Sequence, residues 1–553
     1  MKRTVKARRL LRNTMARQGG AICAAAVALA MLAATAQAQT LTIADPNKQG
    51  SGTLSTAAAK ALAHGPLPFS SADVAAKTEA NRAYTRAVRQ GVLRPASEEP
   101  NPARTPTIVG GRNFSGQTDS SLSPSDSTGA VGPTRYIQLV NAKMAIYGKT
   151  SSTPLGTGTL NDLAGLGSSA FSFDPQVIWD QHTGRFYYVM DSVFSDTDNE
   201  LSIGFSTTAA PNSAADFCHY TINYGSNFPD YPKLGDSSYF LIVGVNTFGS
   251  GGTYVGSDLN AMRKPPSGTA CPDISTFKFG RRTGLVDDGQ AQVFTPIPAN
   301  EIDEQKTGYV IARSGIMPSK KLWLFPVTKD NSGNPVFGSA RSIAVASYNV
   351  PPAAAEGGGF TQLIDTSDAR NTQAVLAVNP DRAGAVSLWT QHTIASGSGG
   401  TLSGVRWYEI DPLAPAVLDS GTVHAASNFI YNGAISPDRR VGAGTAQFGN
   451  SFVIGYTESS GLNNINPRFG VVSRVSGGAL SRLIVRGAGG PYRDNTCANP
   501  GDTCRWGDYS SASPDPAPSG TTEGNVWLTN QFSGTNTSTA QANWRTEICR
   551  IAP

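Results

Sequence analysis

Four aspartates carry the most plausible chemistry in this chain. Asp126, Asp174, Asp230 and Asp508 occur in the settings Ser-Asp-Ser, Phe-Asp-Pro, Pro-Asp-Tyr and Gly-Asp-Tyr, each beside the start of a strand-like run, and Lys233 and Arg505 each lie three residues from one of them. Carboxylates gathered from such distant positions bind a cation or the hydroxyls of a sugar. Two of them across a glycosidic bond make a hydrolase, with one carboxyl protonating the leaving oxygen and the other acting as nucleophile or base. Asp174 and Asp230 are the candidate catalytic pair. Asp126, Asp174, Asp230, Lys233, Arg505, Asp508 and Tyr509 are the candidate binding set. The structural alternative has each aspartate accept backbone N–H groups and fix where a strand begins.

Other constellations are missing. There is no Gly-x-Ser-x-Gly elbow, no His-Glu-x-x-His, no phosphate-binding loop and no Cys-x-x-Cys, and the whole chain holds five histidines, so no metal centre is expected. Asp196-Thr197-Asp198-Asn199-Glu200 alternates oxygen-bearing side chains as a calcium loop does, but the EF-hand glycine and terminal glutamate spacing are lacking. A solvated acidic loop is the preferred reading there; calcium is the one cofactor kept as an alternative. Tyr231, Trp407, Tyr408, Trp506, Tyr509 and Trp527 stack on sugars or pack between sheets, and core packing is expected for at least half of them.

To converge, the aspartates must sit at equivalent ends of repeated elements. The chain of 553 residues has 59 Gly, 35 Pro and only 15% charged residues, a turn-rich β composition that excludes a helical bundle. From Thr107 to the C-terminus, short apolar or alternating strands are broken by Gly, Asn, Asp and Pro. Strand groups start near Val131, Pro175, Tyr231, Ala291, Gln362, Gly433 and Trp506, about 62 residues apart on average. A unit of that size holds a four-stranded antiparallel sheet, and a ring of such sheets hides their edges. The expected fold is therefore an all-β propeller over residues 107–553 with seven blades, six being the alternative count. The last unit is one strand short, and Thr107–Gly110 stands unpaired before the first, so the two ends complete one blade together.

Residues 39–106 read as an Ala- and Pro-rich leader or spacer, with one helix from Ser71, its cap, to about Arg89. Residues 1–38 read as a signal peptide. Seven basic residues precede the apolar run Ala21 to Ala36, and Ala36-Gln37-Ala38 supplies the cleavage site. Arg8-Arg9 leaves a twin-arginine route open beside ordinary export. Without those seven, the basic side chains fall from 45 to 38 against 40 acidic ones, a net charge of −2. Nucleic acid is thereby excluded as a partner, and no later run is long enough to span a membrane.

A secreted or periplasmic destination lets cysteines pair. Cys497 and Cys504 enclose Ala-Asn-Pro-Gly-Asp-Thr, a turn that brings them within reach; Cys218 and Cys271 then pair across a longer loop and Cys549 is left as a buried thiol.

Five segments also resemble a known family. Pro124-Ser125-Asp126-Ser127-Thr128-Gly129-Ala130-Val131-Gly132-Pro133, Phe173-Asp174-Pro175-Gln176-Val177, Phe228-Pro229-Asp230-Tyr231-Pro232-Lys233-Leu234-Gly235, Val405-Arg406-Trp407-Tyr408 and Arg505-Trp506-Gly507-Asp508-Tyr509-Ser510 are similar, in that order, to a group of secreted bacterial propellers often labelled sialidase-like. The resemblance spans most of residues 110–550 and implies a propeller and export, without an activity to carry over. The expected function is a secreted, monomeric module that binds an extracellular glycan or protein; the alternative is a polysaccharide hydrolase using the channel-mouth aspartates.

Overall fold

The computed structural model describes residues 41–553 except 52–53, 65–66, 98–104, 267, 269, 360, 442–447, 500–501, 518–523 and 536–540. The expected signal peptide, residues 1–38, lies outside the described residues. Seven four-stranded antiparallel blades form a β-propeller. Their innermost strands are Thr128–Val131, Phe171–Asp180, Phe228–Asp236, Val293–Pro298, Asn371–Asn379, Phe429–Pro437 and Ser511–Pro514. The start expected near Gln362 is the one furthest off. Leu363–Ile364 there pairs in parallel with Thr503–Cys504 instead of forming an inner strand.

Blade 2 shows how the sequence makes these sheets. Phe171–Asp180 and Arg185–Ser195 pair antiparallel across the turn Gln181-His182-Thr183-Gly184. Asp180 fixes that turn by accepting the His182 N–H at 3.0 Å and the Thr183 hydroxyl at 2.5 Å, while Gly184 takes the left-handed φ of 63° that a branched residue resists.

Ring closure uses both ends of the chain. Thr107–Ser115 is the outermost strand of blade 7, with Thr107 opposite Ala552 and Ile108 opposite Ile551. The cores lie between blades: Trp407 and Trp389 pack on Phe452 between blades 5 and 6, and Trp527 stacks on Tyr136 at 5.2 Å where blade 7 meets blade 1.

One irregularity repeats. The inner strands of blades 2 to 6 lose register near their starts, between Phe173 and Gln176, Asp230 and Lys233, Phe294 and Ile297, Asn371 and Gln373, and Tyr431 and Ala434. In four of these bulges a non-glycine residue turns left-handed: Asp174 at φ 53°, Tyr231 at 60°, Thr295 at 55° and Asn432 at 49°. Asp126, at 41°, does the same just before the inner strand of blade 1. Such backbone costs about 1–3 kcal/mol per residue and persists only where its surroundings over-determine it.

The described part of the leader packs on the propeller, at the outer edge of blade 2 and on this bulged end. Leu41–Ile43 extends blade 2 by pairing with Phe217–Gly225. Helix α1, Thr56–His64, buries Ala57, Ala58 and Ala61 against Phe173, Phe228 and Phe294. Three methyl groups contribute about 2 kcal/mol by burial, a light attachment. Helix α2, Ser71–Arg89, has the expected bounds, but its cap is Ser70, whose hydroxyl accepts the Asp73 N–H. The two serines are chemically alike, and only the extended backbone of Ser70 decides between them. Helix α1 is capped by Ser55, whose hydroxyl accepts the Ala58 N–H at 3.2 Å, and that serine before an alanine run was the signal that the reading of this segment as a spacer passed over.

Candidate functional site

All inner strands run in the same direction along the axis, so their starts meet at one mouth of the channel. The structure brings the whole sequence-derived set together there. Asp126, Asp174, Asp230, Lys233, Arg505, Asp508 and Tyr509 are all buried, none more than 7% exposed. Asp126 accepts the Asp508 N–H at 2.7 Å and the Asn141 amide at 2.6 Å. Arg505 pairs with Asp508 at 2.6 Å, and the Tyr509 hydroxyl donates to Asp174 at 3.1 Å. Tyr231 donates to the Asp508 carbonyl at 3.0 Å, and Lys233 Nζ lies 4.0 Å from the Tyr231 ring centroid and 3.4 Å from that of Tyr509. The strand-anchoring role expected of the aspartates is thus real for Asp126. It does not account for Asp230, whose Oδ2 is buried with no hydrogen-bond partner, or for Lys233, whose Nζ is in the same position.

Sequence reasoning missed seven further members. Opposite the bulges of blades 3, 5 and 6 the second strand supplies a side chain that reaches onward, and in blade 1 the residue just after the second strand does so: Asn141 accepts the Asp174 N–H at 2.9 Å, Asn246 accepts the Thr295 N–H at 2.8 Å, Gln391 donates to the Gly433 carbonyl at 2.5 Å and Thr457 accepts from Trp506 at 3.0 Å. Asp191 holds the equivalent place in blade 2, opposite Phe173, but both its oxygens are buried without a partner. Arg313 holds it in blade 4, paired with Asp73 of α2 at 2.6 Å and with Asp368 at 3.4 Å. Arg370 forks onto Asp368 at 2.8 and 2.9 Å and covers the Tyr231 ring. Nothing in a strand's own sequence marks these positions. The recurrence of Phe173-Asp174-Pro175, Asp230-Tyr231-Pro232, Phe294-Thr295-Pro296 and Tyr431-Asn432-Gly433 was the available signal, since it locates the bulges and hence the residues across from them.

Crowding so many buried groups shifts their ionisation. Burial pushes Asp126, Asp174, Asp230 and Asp508 each up to about 7, and neighbouring aspartates add to the rise at all four. Burial, then Asp174 and Asp230, hold the Asp191 carboxyl well above its ordinary range. Burial drives the Lys233 ammonium well below its own, against the pull of Asp174, Asp508 and Asp126. Burial opposes the charge on Arg505, but Asp508 and Asp126 outweigh it and the guanidinium is held more firmly charged. Near neutral pH the mouth therefore combines protonated and ionised carboxyls with fixed guanidinium charges and an amine whose charge burial disfavours.

Among the described residues the only group of three acidic, histidine or cysteine ligands converging within 4.8 Å is Asp494, Cys497 and Cys504, and those two cysteines are bonded to each other. The Asp196–Glu200 segment is engaged differently as well: Lys48 pairs with Asp198 at 2.8 Å and Glu200 at 2.5 Å, and Asp196 accepts the Thr56 N–H at 2.6 Å. Its carboxylates hold the leader.

Both expected disulfides form, Cys218–Cys271 and Cys497–Cys504, and Cys549 is free and buried. The second bridge ties the loop that delivers Arg505, whose N–H donates to Thr496 at 3.0 Å. Of the aromatic candidates, only Tyr231 and Tyr509 line the mouth; Trp407 and Trp527 pack between blades and Trp506 packs on Tyr492. Among the described residues no helix is long and apolar enough to cross a membrane.

No protein-family model matches the chain, and no curated protein does. Solved structures similar to it include a tryptophan-to-alanine mutant of Synechocystis apocarotenoid oxygenase, 12% identical over 74% of this chain and 81% of that one, with a TM-score of 0.36. Cobalt-substituted Synechocystis apocarotenoid oxygenase is 11% identical over 73% and 80%, with a TM-score of 0.37.

Proposed function

We propose that this is an exported binding module that recognises an extracellular glycan at the bulged mouth of its propeller. One observation carries the reading: Lys233 Nζ, Asp230 Oδ2 and both Asp191 oxygens are buried without hydrogen-bond partners, and Lys233 Nζ lies over two tyrosine rings. Each unpaired group costs about 1–3 kcal/mol, so a site that existed only to start strands would have lost them. Hydroxyl-rich ligands satisfy such a mixture, taking hydrogen bonds from an amine and giving them to carboxylates. The two disulfides support export to an oxidising compartment.

The hydrolase reading is kept for a specific reason. Asp174 and Asp230 are both pushed to about 7, which suits one to donate a proton at neutral pH and the other to accept it. A glycan array and a panel of chromogenic glycosides, run on the purified protein and on Lys233→Met, test both. Binding without turnover, abolished by Lys233→Met, supports recognition. Turnover abolished by Asp174→Asn or Asp230→Asn supports hydrolysis, and neither binding nor turnover defeats both readings.

A further inference from the structure

The mouth is covered by the chain's own leader, and the manner of its attachment differs from ordinary core packing. Three guanidinium groups of the mouth end on it. Arg505 donates to the Ala61 carbonyl of α1, Arg370 donates to the Leu67 carbonyl at 3.2 Å, and Arg313 is paired with the Asp73 carboxylate at 2.6 Å. Beyond these, α1 contributes alanines to the apolar contact, Leu67 and Phe69 between the helices pack on Phe294 and Tyr254, and α2, which buries only Asp73 and Ala87 fully, sets Tyr84 against Phe429 at 5.0 Å. Lys77 adds bonds to the Thr366 hydroxyl and the Ser367 carbonyl, each at 2.7 Å. The leader thus offers the guanidinium groups of the mouth what an oxygen-rich ligand offers, carbonyls and a carboxylate. Yet it leaves Lys233 Nζ, Asp230 Oδ2, Asp191 and Arg370 Nη1 without partners. A segment selected only to finish the fold would satisfy them.

We propose that α1 and α2 form an intramolecular cover that lifts from the mouth while the propeller stays folded, so that ligand and leader compete for the same guanidinium groups. This rests on the binding reading for what enters, but not for the motion. A ligand that needs the open form binds with an apparent affinity reduced by the open fraction, so any change that loosens the cover raises affinity by the same factor. The Asp73–Arg313 pair is buried and charge-assisted, and breaking it raises the open fraction by on the order of tenfold or more. The cleft beside α1, about 450 Å³ and lined in part by Ala59, Ser123, Asn141 and Phe173, lies where the cover's edge meets the site.

Hydrogen exchange followed by mass spectrometry on the full chain tests the cover without any ligand, comparing wild type with Asp73→Asn and with Lys77→Met. The second variant guards against a folding defect in the first. The expected result is that α1 and α2 peptides exchange faster than the inner strands in wild type, and about tenfold faster again in both variants, with the inner strands unchanged. If leader and inner strands exchange together in all three proteins, the leader is an integral part of the propeller and the proposal is overturned. The same proteins on the glycan array separate the two ideas. Any glycan bound by wild type should bind both variants more tightly by the factor seen in exchange. A leader that opens as expected while no arrayed glycan binds any of the three supports the cover and defeats the binding reading.

Discussion

Replacing Asp230 by asparagine should stabilise the protein at alkaline pH and leave it nearly unchanged in mild acid. Burial raises the Asp230 carboxyl from 3.8 to about 7, with Asp508 and Asp368 adding to the rise and Arg370 and Arg505 opposing it. The folded chain therefore keeps a proton that the unfolded chain gives up above about pH 4. That retained proton contributes stability that is complete below pH 4 and declines as pH rises through about 7, the reverse of a salt-bridged carboxylate. A rise of about 3 units corresponds to about 4 kcal/mol for one group at pH 8. Asp126, Asp174 and Asp508 rise similarly, but the four interact, so the whole cluster contributes less than four times that amount. Asparagine removes the ionisation and forfeits little, because Asp230 Oδ2 has no hydrogen-bond partner to lose. Equilibrium urea unfolding with disulfides intact, at pH 4 and pH 8, should show Asp230→Asn within about 1 kcal/mol of wild type at the lower pH and more stable by about 2–4 kcal/mol at the higher. Equal destabilisation at both values would refute the buried, proton-holding cluster.

Other consequences are equally direct. Converting Cys497 and Cys504 to serine should cost about 2.5 kcal/mol and converting Cys218 and Cys271 about 4 kcal/mol, since the bridges span separations of 7 and 53 residues; thermal unfolding showing the reverse order would contradict this. Ile108→Asp, which puts a charge where Ile108 packs on the blade 7 core, should lower stability by about 2 kcal/mol, and an unchanged melting temperature would mean that the N-terminal strand does not hold the ring shut. Lys233→Met keeps a similar shape between Tyr231 and Tyr509 while removing a buried amine, so calorimetry should find an equal or higher melting temperature; a clear loss would show that the amine is paired in solution.

The propeller was legible because its signals are local and repeated. Strand, turn and strand recur at blade length, and Thr107–Ser115 completes blade 7 as the missing strand required. The mouth residues were legible for the same reason: Asp126, Asp174, Asp230 and Asp508 sit beside strand starts, and symmetry converts equal position into proximity. Asp191, Arg313 and Arg370 were not, because their place depends on register across a bulge, and a one-residue change of register sends a side chain to the other face. The Asp196–Glu200 segment looked like a solvated or calcium-binding loop because the lysine that pairs with two of its acids, Lys48, lies 150 residues away in the leader.

The two ends of the channel separate structural from functional chemistry within one set of strands. Asp180 and Asp236 close the inner strands of blades 2 and 3, far from the mouth, and share Lys264 at 2.9 and 2.8 Å. At that end Asp303 forks onto Arg439 and Asp515 takes Lys149 at 2.5 Å, while Asp438 accepts the Gly449 N–H at 2.7 Å. Glu301 Oε2 and its neighbours Asn300 Oδ1 and His182 Nε2 are exceptions. The same fold, with the same strands and similar burial, thus finds partners for its carboxylates when latching blades is their task. Six residues earlier along those same two strands, at Asp174 and Asp230, the backbone is forced left-handed at and beside the aspartates, and the Asp230 and Lys233 side chains are left unpaired. Burial alone does not separate the two ends, because both are dry. The difference lies in what was selected at each, and unpaired groups on strained backbone beneath a lightly held leader are the arrangement expected where a ligand completes the site.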